Sequence, residues 1–76
     1  MKEIILKHAL KNAIEYNGNA NPNAVLGRVL GENPELKKDI PKLRKEIQTI
    51  VKEISNLSVE DQKNKLNKIN PEMLKE

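Results

Sequence analysis

Three Asn-Pro pairs, at Asn21-Pro22, Asn33-Pro34 and Asn70-Pro71, punctuate this chain and most constrain what it can fold into. Asparagine caps exposed backbone N–H groups through its side chain, and proline presets the angle of a helix's first residue, where its missing donor costs nothing. Each pair therefore reads as a helix start. Asn17-Gly18 adds a stop, because glycine enters left-handed backbone angles without strain. The short apolar stretch Ala24–Leu30 lies between these signals. It is too short to be stable alone, so neighbours must pack on it. The stretch Asn12–Leu36 accordingly reads as the structural hub.

Lys2–Tyr16 places Ile5, Leu6, Ala9, Leu10, Ala13 and Ile14 at steps of one, three and four. That is one broad face of an amphipathic helix, with Lys7, Lys11, Asn12 and Glu15 largely opposite. In the second helix, Pro22–Leu30, Val25, Leu26, Val29 and Leu30 form the buried cluster. Gly27 is expected to admit a close neighbour and Gly31 to cap the helix. Next, Leu36, Ile40, Leu43, Ile47, Ile50, Ile54 and Leu57 alternate steps of four and three, a heptad-like seam. Pro41 interrupts it, and an interior proline costs about 3 kcal/mol unless the chain bends or restarts there. The expectation is a turn of helix at Pro34–Asp39 and a main helix from Pro41 to Leu57, either one kinked rod or two pieces.

Ser58 with Asp61 resembles a capping box and starts a fourth helix, Val59–Ile69, whose apolar content (Val59, Leu66, Ile69) is thin. Asn70-Pro71 opens a further helix that is cut off after one turn, which reads as a piece of a longer protein. The predicted class is all-α: a small bundle of about four helices, the third long and kinked or split near Pro41.

Composition limits the chemistry. With 37% apolar residues, Tyr16 as the sole aromatic and 76 residues in all, the core is aliphatic and leaves no room for a deep substrate cavity. The lack of cysteine excludes disulfides and thiolate metal sites and fits a reducing cytosol. No apolar run approaches the roughly 18 residues of a membrane span. No phosphate-binding glycine loop, paired-histidine metal motif or nucleophile elbow occurs, and the lone His8 reads as structural. No residue is therefore assigned to catalysis, to a metal or to a cofactor.

One cluster is chemically suggestive. Lys37, Lys38, Lys42, Arg44 and Lys45 fall within nine residues, with only Asp39 opposing them inside that window. On a continuous helix Lys38, Lys42 and Lys45 share a face and can follow a phosphate backbone, each contact releasing counterions. A solvated helix face, locally paired by Glu35 and Glu46, is the bland alternative. No aromatics interleave these cations to stack bases, which argues against sequence-specific reading of single strands by this cluster.

Across residues 9–62 the chain resembles a known family. Lys11-Asn12-Ala13, Tyr16-Asn17-Gly18, Ala20-Asn21-Pro22, Ala24-Val25-Leu26-Gly27, Val29-Leu30 and Glu32-Asn33-Pro34-Glu35-Leu36 look like the N-terminal region of archaeal-type glutamyl-tRNA synthetases. Val51-Lys52-Glu53-Ile54, Asn56-Leu57-Ser58, Glu60 and Gln62 fit the same pattern, whereas Pro41 departs from it. The resemblance implies a parent glutamate–tRNA ligase, a cytoplasmic class I enzyme using ATP and Mg2+, whose catalytic signatures are absent from these residues. Residues 1–69 would be an appended helical domain and 70–76 the start of a linker or helix toward the catalytic domain. The implied role is auxiliary tRNA-backbone binding through Lys38, Lys42, Arg44 and Lys45. The alternative is a protein-docking module, joining the synthetase to an amidotransferase or another synthetase; its mark would be an exposed apolar patch rather than a basic one, and the thin fourth helix could leave part of the Leu36–Leu57 seam bare.

Overall fold

A computed structural model describes residues 2–69; the Asn70-Pro71 start and the 70–76 segment lie outside the described residues. The chain forms α1 (Lys2–Glu15), α2 (Pro22–Glu32), a 3-10 helix (Pro34–Asp39), α3 (Ile40–Ile54) and α4 (Val59–Ile69), with no strand among the described residues. The all-α four-helix expectation is met.

The centre of the bundle is α1. It packs against α4 on one side and against α2 and α3 on the other, while α2 and α3 also pack on each other and on the 3-10 helix. Ile5, Ala9, Leu10 and Ala13 are fully buried, joined by Val25, Leu26 and Val29 from α2, Leu43, Ile47, Ile50 and Ile54 from α3, and Leu66 from α4. The hub is therefore α1 itself rather than the Asn12–Leu36 stretch. Asn12, expected on the outer face, is buried, and its Oδ1 accepts the Asn21 N–H at 2.7 Å. One side chain thus fixes the loop that leads into α2.

The punctuation works in part: Pro34 opens the 3-10 helix, but Asn33 makes no side-chain cap to it, its Nδ2 donating back to the Val29 carbonyl at 3.5 Å. At the end of α1, Asn17 takes the left-handed position (φ 57°) and Gly18 follows at φ 99°. The Gly18 N–H returns to the Ala13 carbonyl at 2.7 Å, a Schellman closure. Asn21 caps α2, its side chain accepting the Asn23 N–H at 2.9 Å, with Pro22 as the first helical residue. The helix runs on to Glu32, so Gly31 is interior and Asn33 closes it, donating its N–H to the Val29 carbonyl at 2.9 Å. Neither Gly27 nor Gly31 has anything within 4 Å of where a Cβ would sit, so neither admits a close neighbour.

At the expected break the chain restarts rather than kinks. Asp39 leaves helical geometry (φ −142°, ψ 62°) and caps α3, its carboxylate accepting the Lys42 N–H at 3.3 Å. Pro41 thus lies in the first turn of α3, where no intrahelical donor is missed. The helix ends at Ile54, three residues short of Leu57, with Ser55 as its cap. Ser58 Oγ accepts the Asp61 N–H at 3.1 Å, so half of the capping box forms.

A candidate anion-binding surface

The cations of the 3-10 helix and α3 are all exposed. Among the described residues none of Lys37, Lys38, Lys42, Arg44 and Lys45 makes an ion pair; the pairs found join Lys7 and His8 to Glu32, and Arg28 to Glu15. Lys38 and Lys42 line one groove of about 350 Å³ between the 3-10 helix and α3, together with Glu35, Asp39 and Glu46. Arg44 lies elsewhere, beside Pro22, Asn23, Leu26, Ile47 and Gln48 against α2. The break at Asp39 removes the continuous helical register that would align Lys38 with Lys42 and Lys45. Lys38 and Lys42 still come together, but three carboxylates line their groove.

Two polar side chains of the core, Gln62 and His8, have partners that the sequence did not indicate. Gln62 is wholly buried, and its Nε2 donates to the carbonyls of Ile54 (2.9 Å), Gly18 (3.2 Å) and Leu57 (3.3 Å). It ties α4 to the end of α3 and to the α1–α2 loop. His8 is buried on α1, its Nε2 3.0 Å from Glu32 Oε2. His8, with Lys7 Nζ 3.6 Å from the same oxygen, holds the Glu32 carboxyl below its ordinary value of 4.5. Glu32 ends α2, where the helix dipole opposes a carboxylate; the neighbouring His8 and Lys7 outweigh it. On the other flank, Arg28 Nη2 meets Glu15 Oε2 at 3.1 Å. A lone glutamine or histidine inside an amphipathic pattern gives no periodic signal, and only its position four residues before Leu66 places Gln62 on the inner stripe of α4.

Among the described residues no cluster of three or more histidine, cysteine or acidic side chains could hold a metal ion. No described helix is long and apolar enough to cross a membrane. The heptad-like seam is covered: Leu43, Ile47, Ile50 and Ile54 are buried, and Leu36, Ile40 and Leu57 are half-buried. Tyr16 is the one large apolar side chain exposed among the described residues.

Comparison with known proteins gives this surface a context. The chain is 49% identical over all 76 residues to a glutamate–tRNA ligase of Pyrococcus furiosus and 46% identical over 76 residues to that of Thermococcus kodakarensis. A glutamate–tRNA ligase of Methanococcus maripaludis matches 74 residues at 40% identity. In each case the chain spans about 13% of the relative's length. No family model matches the chain, and no solved structure matches it. The chain is thus homologous to a segment of aminoacyl-tRNA ligases. The relatives are archaeal glutamate–tRNA ligases, and the shared segment is their N-terminal part.

Proposed function

We propose that this chain is the appended N-terminal helical domain of a glutamate–tRNA ligase, non-catalytic in itself, which binds the tRNA backbone. Residues 1–69 form the domain, and 70–76 begin the connection to a catalytic domain. The parent is a cytoplasmic enzyme that joins glutamate to tRNA with ATP and Mg2+; neither cofactor is assigned to this segment. The observation that carries the reading is the end-to-end match to the N-terminal part of ligases named for glutamate and tRNA. Lys38, Lys42, Arg44 and Lys45 supply phosphate contacts, supported by their exposure and by their lack of ion pairs with described residues. The alternative is docking to a partner synthetase or amidotransferase, whose mark would be an exposed apolar patch rather than a basic one. The burial of Leu43, Ile47, Ile50 and Ile54 and the exposure of the lysines favour the tRNA reading.

The test is amide chemical-shift mapping of the chain with unfractionated tRNA. The expected outcome is shift changes at low salt that fade as salt rises, because each phosphate contact releases counterions. No change at low salt overturns the proposal. In a ligase carrying this segment, reversing Lys38, Lys42 and Lys45 to Glu is expected to raise the KM for tRNA and leave those for ATP and glutamate unchanged.

A further inference from the structure

A second groove, of about 460 Å³, runs between α1 and α4 and is lined by Lys11, Ile14, Glu15, Lys63, Asn64, Leu66 and Asn67. Its charge differs from that of the groove at Lys38 and Lys42. There two lysines share the lining with three carboxylates; here two lysines accompany one, and Arg28 holds that one, Glu15, at 3.1 Å. Neither Lys11 nor Lys63 makes an ion pair with a described residue. Among the described residues the groove therefore presents uncompensated positive charge beside half-buried Ile14 and two exposed amides, with the buried Leu66 beneath them. Its volume falls within the range of small-ligand sites.

From this juxtaposition we propose that the α1–α4 groove binds one unstacked nucleotide of the tRNA. Lys11 and Lys63 meet its phosphate, Asn64 and Asn67 offer amide donors and acceptors to base edge or ribose, and the half-buried Ile14 receives the base's flat face. The inference rests on the tRNA-binding reading and refines it. The exposed lysines of the 3-10 helix and α3 would act as a diffuse, mixed-sign field, and the α1–α4 groove as the place of close contact. An unstacked base read on its edges is the usual target of selective RNA recognition, and amide side chains can both donate and accept there. A phosphate rail alone would need neither the amides nor Ile14.

Paired variants of the 76-residue chain, titrated with unfractionated tRNA, test this. Lys11→Glu with Lys63→Glu is expected to weaken binding at least about tenfold and to lower the salt slope of log K by about 1, the one phosphate the pair meets. Lys38→Glu with Lys42→Glu is expected to weaken it less. Asn64→Ala with Asn67→Ala is expected to weaken binding with the salt slope unchanged, which a merely electrostatic groove would not show. Lys11 is half-buried, so Lys63→Glu alone, at an exposed site, guards against a variant that fails to fold. If shift changes map only to Lys37–Lys45, and binding is lost only in the Lys38/Lys42 variant, the groove proposal falls while the tRNA reading stands. Equal losses in both lysine pairs likewise overturn it, in favour of a diffuse field. An absence of binding by the unaltered chain at low salt overturns both readings.

Discussion

Gln62 shows how one side chain can decide whether a helix is held. Its amide supplies donors to three carbonyls from three places in the chain, while its own Oε1 is buried without a partner. Gln62→Leu removes that orphan acceptor but takes the amide donor from the part-buried Gly18 and Leu57 carbonyls, while Ile54 keeps the Leu57 N–H, so the two effects partly cancel. A loss of about 1–2 kcal/mol in urea denaturation is expected. Gln62→Glu places a buried carboxylate against the same carbonyls and is expected to cost more, about 3 kcal/mol at neutral pH. The reverse order would show that the amide bonds contribute little. Glu32 makes a pH-dependent contribution. Its carboxyl is depressed in the folded state by His8 and then Lys7. The stabilisation is therefore complete above the unfolded carboxyl's value of 4.5 and is lost as the pH falls through the lower folded value. Thermal unfolding between about pH 3 and 6 is expected to show a steeper fall in Tm for the native chain than for Glu32→Gln. Parallel curves would remove Glu32 from the account. Neither residue was assigned its role from sequence, because a polar side chain inside a helical stripe discloses nothing about which carbonyls or carboxylates other helices bring to it.

At the level of elements, helix starts were legible, and so were the ends of α1 and α4, whereas those of α2 and α3 were not. Asn21-Pro22 caps as its chemistry dictates, and the Pro41 break resolves into a restart because Asp39 supplies a cap two residues ahead of the proline. Starts are encoded by side chains that bond locally, whereas ends depend on how far packing extends the last turn. Packing carries α2 through Gly31 to Glu32, where Asn33 and the Glu32 pairs stop it. The same reasoning corrects the glycines. Gly27 and Gly31 face open space within a helix, so each carries glycine's entropic cost with no packing return. Gly27→Ala and Gly31→Ala are each expected to stabilise the chain by about 0.5–1 kcal/mol in chemical denaturation. Destabilisation by either would mean that the open space is filled by something beyond the described residues. Gly18 is the opposite case: at φ 99° a side chain is strained there, whatever the room.

For the whole molecule, the lesson is the difference between a face and its cover. The sequence shows that α4 is poor in apolar residues, which suggests a loosely attached helix and a partly bare seam on α3. The structure has α4 packing extensively on α1, with Leu66 buried, Val59 and Gln62 close against Gly18, and a polar anchor at Gln62. No pattern within one helix discloses which neighbour will cover it, and the candidate groove between α1 and α4 was invisible for the same reason: Lys11 and Lys63 are 52 residues apart. The lysine cluster could be read because its members are adjacent in sequence, yet its acidic neighbours weaken it once folded. This arrangement makes α4 essential rather than peripheral. A domain this small buries only about 60% of its unfolded surface and has a total stability of about 4–11 kcal/mol. Uncovering one side of α1, whose Ile5, Ala9, Leu10 and Ala13 are fully buried, removes a large share of that. A chain ending at Leu57 is therefore expected to lose its cooperative thermal transition by far-UV circular dichroism. A sigmoidal transition retained without α4 would show that α1, α2 and α3 close a core by themselves, and would move α4, with its groove, from the frame of the domain to an attachment on it.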